Sequence, residues 1–126
     1  MEKKSLHETF EFLLSEGFFT DCLENHGPRY RQAEFHSPKI VLRIVEQDEI
    51  TPQGVSVSCL AFLVDPENRH RWCMFEKAVE VMLGCKIGGS ISLLELNRNL
   101  RDYIGSILKL SDHGSEPPFE DFSRFA

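Results

Sequence analysis

Two runs with apolar residues on alternate positions, Lys39–Glu46 and Val55–Val64, constrain this chain more than any other feature. A side-chain period of two sets Ile40, Leu42 and Ile44 on one face of a strand and Val41, Arg43 and Val45 on the other. In the second run Val55, Val57, Cys59, Ala61 and Leu63 share a face. Its opposite face changes from Ser56 and Ser58 to Leu60, Phe62 and Val64, so one end of that face needs a cover, from the third helix or from the tail. Glu46-Gln47-Asp48-Glu49 reads as a polar break, and Thr51-Pro52-Gln53-Gly54 supplies turn residues. Two strands joined this way most simply form an antiparallel pair.

Helices flank the pair. Ser5-Leu6-His7-Glu8 is a capping box, followed by an apolar stripe at Leu6, Phe10, Leu13 and Leu14 with Phe12 off it. This predicts a first helix from Leu6 to about Glu16, stopped by Gly17. Phe18 to Leu23 is ambiguous between helix and extended chain, and Gly27-Pro28 breaks it. Arg29–Phe35 reads as a short outer strand. Asp65-Pro66 reads as a helix start, with Trp72, Phe75, Val79, Met82 and Leu83 as its stripe and Gly84 as its stop; the alternative is a plain turn with the helix beginning nearer Arg71. Ser92-Leu93-Leu94-Glu95 is a second capping box, leading a long helix through Leu96, Leu100, Tyr103, Ile104, Ile107 and Leu108. Gly105 inside it costs about 1 kcal/mol relative to Ala.

At 126 residues the chain fits one domain that buries roughly two thirds of its unfolded surface. The expected fold is α+β: a small, mainly antiparallel sheet of three to four strands with helices packed on one face. Residues 1–111 form the domain. Residues 112–126 form an acidic tail with Pro117-Pro118 and Phe119, Phe122 and Phe125, either flexible or docked back along the sheet.

The residues that carry chemistry do not assemble into a signature. Zinc sites need four ligands, usually in close pairs. Here the nearest pairs are Cys22 with His26 and His70 with Cys73, each able to meet across one helical turn, and neither at a finger spacing. Cys73 beside Arg69, His70 and Arg71 has positive neighbours that favour a thiolate, yet its place between Trp72 and Phe75 suits packing. Gly84-Cys85-Lys86-Ile87-Gly88-Gly89-Ser90 lacks the order of a phosphate loop. Catalytic residues, metal ligands and cofactors are therefore expected to be none. Lys+Arg 14 against Asp+Glu 20 gives a net charge of −6, which disfavours nucleic acid, whose binding needs basic residues. No apolar run is long enough to cross a bilayer and no secretory leader is visible, so a cytoplasmic protein is the expectation.

The helix Leu6–Glu16 ending in Gly17-Phe18 is followed by the hairpin entry Phe35-His36-Ser37-Pro38-Lys39-Ile40-Val41-Leu42. A late helix carries Asn99-Leu100-Arg101-Asp102-Tyr103-Ile104. This order resembles small uncharacterised bacterial proteins and toxin-antagonising immunity proteins. The resemblance implies a single-domain inhibitor that works by occluding a partner, and it carries over no site residues.

The expected function is a non-enzymatic protein-binding domain, an immunity-type inhibitor of a basic toxin or nuclease. Glu46, Asp48, Glu49, Glu120 and Asp121 are the acidic contact candidates, with Phe119 and Phe122 as anchors. The alternative is a small-ligand or regulatory domain using a pocket between sheet and helices, where Trp72 and the Leu60/Phe62/Val64 face would line it. An apolar face left uncovered would instead make a homodimer of an otherwise monomeric chain.

Overall fold

A computed structural model describes residues 4–21, 23–90 and 92–125. The class is α+β, but the sheet is larger than expected. Six antiparallel strands lie in sequence order: β1 (Glu24–Gly27), β2 (Tyr30–His36), β3 (Val41–Thr51), β4 (Gly54–Asp65), β5 (Asn68–Met74) and β6 (Glu120–Asp121). Three helices accompany them: α1 (Leu6–Thr9), α2 (Phe75–Ala78, continued as a π turn over Val79–Leu83) and α3 (Leu93–Asp112).

Both predicted serine N-caps form. Ser5 Oγ accepts the Glu8 amide at 3.1 Å and Ser92 Oγ accepts the Glu95 amide at 3.1 Å. The first helix is broken: α1 gives way at Phe10 to a 3-10 turn over Glu11–Leu14, and Gly17 then takes φ +106°. A tight turn keeps Leu6, Phe10 and Leu13 buried while leaving Leu14 46% exposed. α3 buries Leu96, Leu100, Ile104, Ile107 and Leu108, and Asn97 Nδ2 donates to Thr9 O at 2.7 Å, tying it to α1.

The register divides the sheet into two faces. Across the helix side run the rows Phe35–Leu42–Leu63–Cys73 and Ala33–Ile44–Ala61, which join α1, α2 and α3 in one core. Across the other side run His36–Val41–Val64–Trp72–Glu120, Glu34–Arg43–Phe62–Met74 and Gln32–Val45–Leu60. The apolar members of these rows lie outside the core cluster; Val41 and Val64 are buried, and Val45, Leu60, Phe62, Trp72 and Met74 are half-buried.

Four sequence expectations need correction. Arg29–Phe35 is not the outer strand, because the polar run Glu24–Gly27 pairs outside it as β1. Glu46–Glu49 is no break: β3 continues through it to Thr51, pairing residue for residue with β4. Pro66-Glu67 is a hairpin turn and no helix starts there, so Trp72 belongs to a strand. Asp65 Oδ1 accepts the Glu67 amide at 2.9 Å, the local bond that a capping Asp would also make, and the chain then turns back instead of coiling. The helix begins at Phe75. Finally, residues 120–121 form β6 on the edge of β5, which raises the strand count to six where three to four were expected.

Candidate functional site

The residues singled out for recognition separate into two groups. Glu46, Asp48 and Glu49 lie on β3. Trp72, Phe119, Glu120, Asp121 and Phe122 gather at the β5–β6 edge. Along β4 the first group stands opposite Ser56–Cys59 and the second near Val64. At ~3.3 Å per residue that is roughly 17 Å for Glu46 and roughly 26 Å for Glu49, too far for one compact site.

In the first group, Glu46 pairs with Arg31 at 2.8 Å on the helix side, just where the core ends. Asp48 is half-buried on the same side, and its backbone amide donates to Arg29 O at 2.8 Å. Glu49 is exposed on the opposite face. Beyond Gln47 the sheet narrows to the two strands β3 and β4, since β2 ends its pairing at Tyr30–Gln47. Ile50, Val55 and Val57 are 64%, 68% and 41% exposed on this ribbon. Sequence reading missed them as surface groups because their alternation matched that of core residues further along β4.

The second group is internally engaged. Trp72 stacks on Phe122 with ring centroids 4.3 Å apart and meets Phe62 edge-on at 5.3 Å. The Phe122 amide donates to His70 O at 2.7 Å. Arg71 lies over the Phe119 ring at 5.4 Å and pairs with both Asp65 and Glu116. Asp121 is exposed, and its Oδ1 accepts the Ser123 amide at 2.8 Å; that hydrogen bond, with Arg71 nearby, holds its carboxyl below the usual range. Glu120 is exposed opposite Trp72. The tail thus covers only the Val64 end of the Leu60/Phe62/Val64 face, through Phe122 on Trp72. Phe122→Ala should destabilise the fold by about 1–2 kcal/mol, from lost stacking and burial. It should also red-shift the emission of Trp72, the single tryptophan. An unchanged spectrum would mean that the stack is not formed in solution.

Charged groups cross the open face as a network. Glu34 takes Arg43 at 2.9 Å and Arg69 at 2.8 Å, with His36 at 3.7 Å. Burial opposes the charge on Glu34, but the two guanidinium groups outweigh it and hold the carboxyl below its ordinary value. The cluster Arg69-His70-Arg71 is therefore taken up largely by ion pairs. On the helix side, Glu24 Oε1 accepts the His7 amide at 3.0 Å and lies 3.3 Å from His7 Nδ1, with His26 Nε2 3.1 Å from Oε2. Burial again opposes the charge, and the His7 and Leu6 amides overcome it.

Both carboxyls sit below the ordinary 4.5 in the folded state. They therefore contribute stability above that pH, and the contribution is lost as pH falls through the depressed folded values. Glu24→Gln should lower the urea midpoint at neutral pH, with a gap to the wild type that narrows as pH falls below the ordinary 4.5. A gap of constant width would rule out this linkage.

Metal chemistry finds no geometry among the described residues: no three His, Cys, Asp or Glu side chains stand close enough to hold an ion. His70 and Cys73 do not meet across a helical turn. On a strand, positions three apart face opposite ways, and Cys73 is in the core while His70 is exposed. Cys22, and with it the Cys22–His26 pair, lies outside the described residues. Surface grooves of about 290, 450 and 600 Å³ are shallow. The first is lined by Lys39, Asp65, Arg71, Ser111, Glu116 and Phe119, and the others flank Arg31 and Glu46.

The fold and these surfaces define an α+β domain with one sealed sheet face and one covered only at its Val41–Val64–Trp72 end. Comparison with protein-family models, curated proteins and solved structures finds no match. Among the described residues no helix is long and apolar enough to cross a membrane.

Proposed function

We propose that this chain is a non-enzymatic protein-binding domain that engages its partner through the open face of the sheet. The observation carrying the reading is that face itself. Val45, Leu60, Phe62, Trp72 and Met74 are half-buried there, outside the core. A half-buried aliphatic and aromatic surface with a polar rim is how recognition patches are built. Glu49 at one end and Glu120 at the other give that rim a negative charge, in keeping with the net charge of −6. The partner this suits is basic, and an inhibitor that occludes a basic toxin or nuclease fits the description. The Glu34–Arg43–Arg69 network fixes polar groups in place on the surface before binding, which lowers the ordering cost.

Affinity capture at low salt, from the cells that naturally make the protein, tests the reading. A specific basic partner should be recovered by the wild type and lost on Leu60→Lys, and its binding should weaken as salt rises. Arg98→Glu on the exposed side of α3 serves as the control and should leave recovery unchanged. Equal recovery by the wild type and Leu60→Lys would overturn the proposal.

A further inference from the structure

The strand edges of this sheet are guarded unequally. Natural edge strands avoid unwanted pairing by being short, charged or covered. β1 is four residues long and carries Glu24 and His26, and β6 covers β5. The free edge of β3 beyond β2 carries Glu49. β4 differs. β5 pairs with it only from Phe62 to Asp65, and Ser90, held by Asn99 Nδ2 at 3.1 Å, bridges to Cys59. Among the described residues no strand pairs with the outer edge of Gly54–Ser58. From Gln53 through Val64 the sequence has no charged residue and no proline. Nothing in this stretch discourages a further strand.

We propose that the Gly54–Ser58 edge of β4 pairs antiparallel with the same edge of a second copy of this chain. The inference does not depend on the open face being a binding surface. Ser90 beside Cys59 closes one end of the free run and the turn at Pro52-Gln53 closes the other. One register uses all five residues that no described strand pairs: a twofold axis at Ser56, with Val55 opposite the partner's Val57 and Gly54 opposite the partner's Ser58. That register is self-complementary. Paired residues share a face, so valine meets valine on the helix side, flanked by Ile50, and Ser56 meets its own copy on the other. These are the side chains of the ribbon that are 64%, 68% and 41% exposed in the single chain.

Charge favours a second copy over a basic strand. The nearest carboxylates, Asp48 and Glu49, sit on β3, one strand inward, so an incoming cationic strand meets no counter-charge at the edge. Between two copies, each carboxylate and its mate stand about three strand spacings apart, roughly 14 Å. That exceeds the screening length of ~8 Å at physiological salt. What opposes pairing is the −6 carried by each copy, and salt screens it. Self-association therefore strengthens with salt, opposite to the behaviour expected of a basic partner on the open face.

Sedimentation of the full chain at concentrations up to about 1 mM tests the pairing. The expected result is a species of twice the 14.5 kDa chain mass, more populated at high salt. Val55→Lys with Val57→Lys sets like charges directly opposite each other across the seam and should weaken association at least about tenfold. Both positions are exposed, so folding should be retained, which circular dichroism checks. In a Cys85→Ser background, Ser56→Cys should form an intermolecular disulfide under mild oxidation. Gln53→Cys, on the turn and far from its own copy, should not. A monomer at every concentration and salt overturns the proposal. So does a dimer that the lysine pair leaves intact, or one in which Ser56→Cys links no faster than Gln53→Cys.

Discussion

Phe35→Ala is expected to lower the unfolding free energy by about 3–5 kcal/mol, a large share of what a domain of this size possesses. Phe35 has no exposed surface and sits on β2 in the row Phe35–Leu42–Leu63–Cys73. Its ring lies 5.3 Å from that of His7, on the helix that closes the core. Removing the ring leaves a cavity between a sheet and helices that cannot collapse without moving the strand register, so the cost includes the void as well as the lost transfer energy. Val55→Ala, on the same sheet face but 68% exposed, should change stability by less than about 0.5 kcal/mol. Urea denaturation of the two variants measures the contrast. Similar losses from both would show that the boundary between core and ribbon does not fall near Cys59.

The second large effect is in thiol reactivity. Burial, with the Glu46 carboxylate added, pushes the Cys59 thiol up to about 11, and burial with Glu120 pushes Cys73 up to about 12. From the ordinary 9.0 these shifts cut the thiolate fraction near neutral pH by about 100-fold and about 1000-fold. Both side chains are also closed to reagent, whereas Cys85 is exposed. Alkylation followed by peptide mass spectrometry should therefore label Cys85 before Cys59 and Cys73. Cys59 and Cys73 should follow at rates set by opening of the fold, and denaturant should bring them together. Rapid labelling of Cys73 in the native protein would contradict a packing role and reopen the nucleophile considered from its basic neighbours.

The parts of the fold legible in sequence were those with a local cause. The two serine N-caps, the α3 stripe and the alternation of β3 and β4 each arise from contacts within a few residues, and each is present. Trp72 shows why the rest was harder. Trp72, Phe75 and Val79 fit a helical spacing, while Cys73 and Phe75 fit a strand entering a helix. Local pattern permits both, and pairing with Leu63 and Val64 selects the second. β1 was illegible for the opposite reason, since Glu24–Gly27 has no apolar pattern and exists because the β2 edge was available. Docking of the tail along the sheet was legible only as one of two dispositions, and no local pattern set Phe122 against Trp72. The separation of Glu46–Glu49 from Glu120–Asp121 could not be read from spacing at all.

The sequence by itself determined an α+β chain with a central antiparallel hairpin, capped helices and an apolar side for the sheet to bury, because period and capping are short-range properties of the backbone. Only the tertiary structure decided which apolar residues are core. Ala61 and Val57 belong to the same alternation, yet one is sealed in the core and the other stands on an uncovered ribbon. The difference lies in how far the neighbouring strands and helices reach, a long-range fact that no window of residues contains.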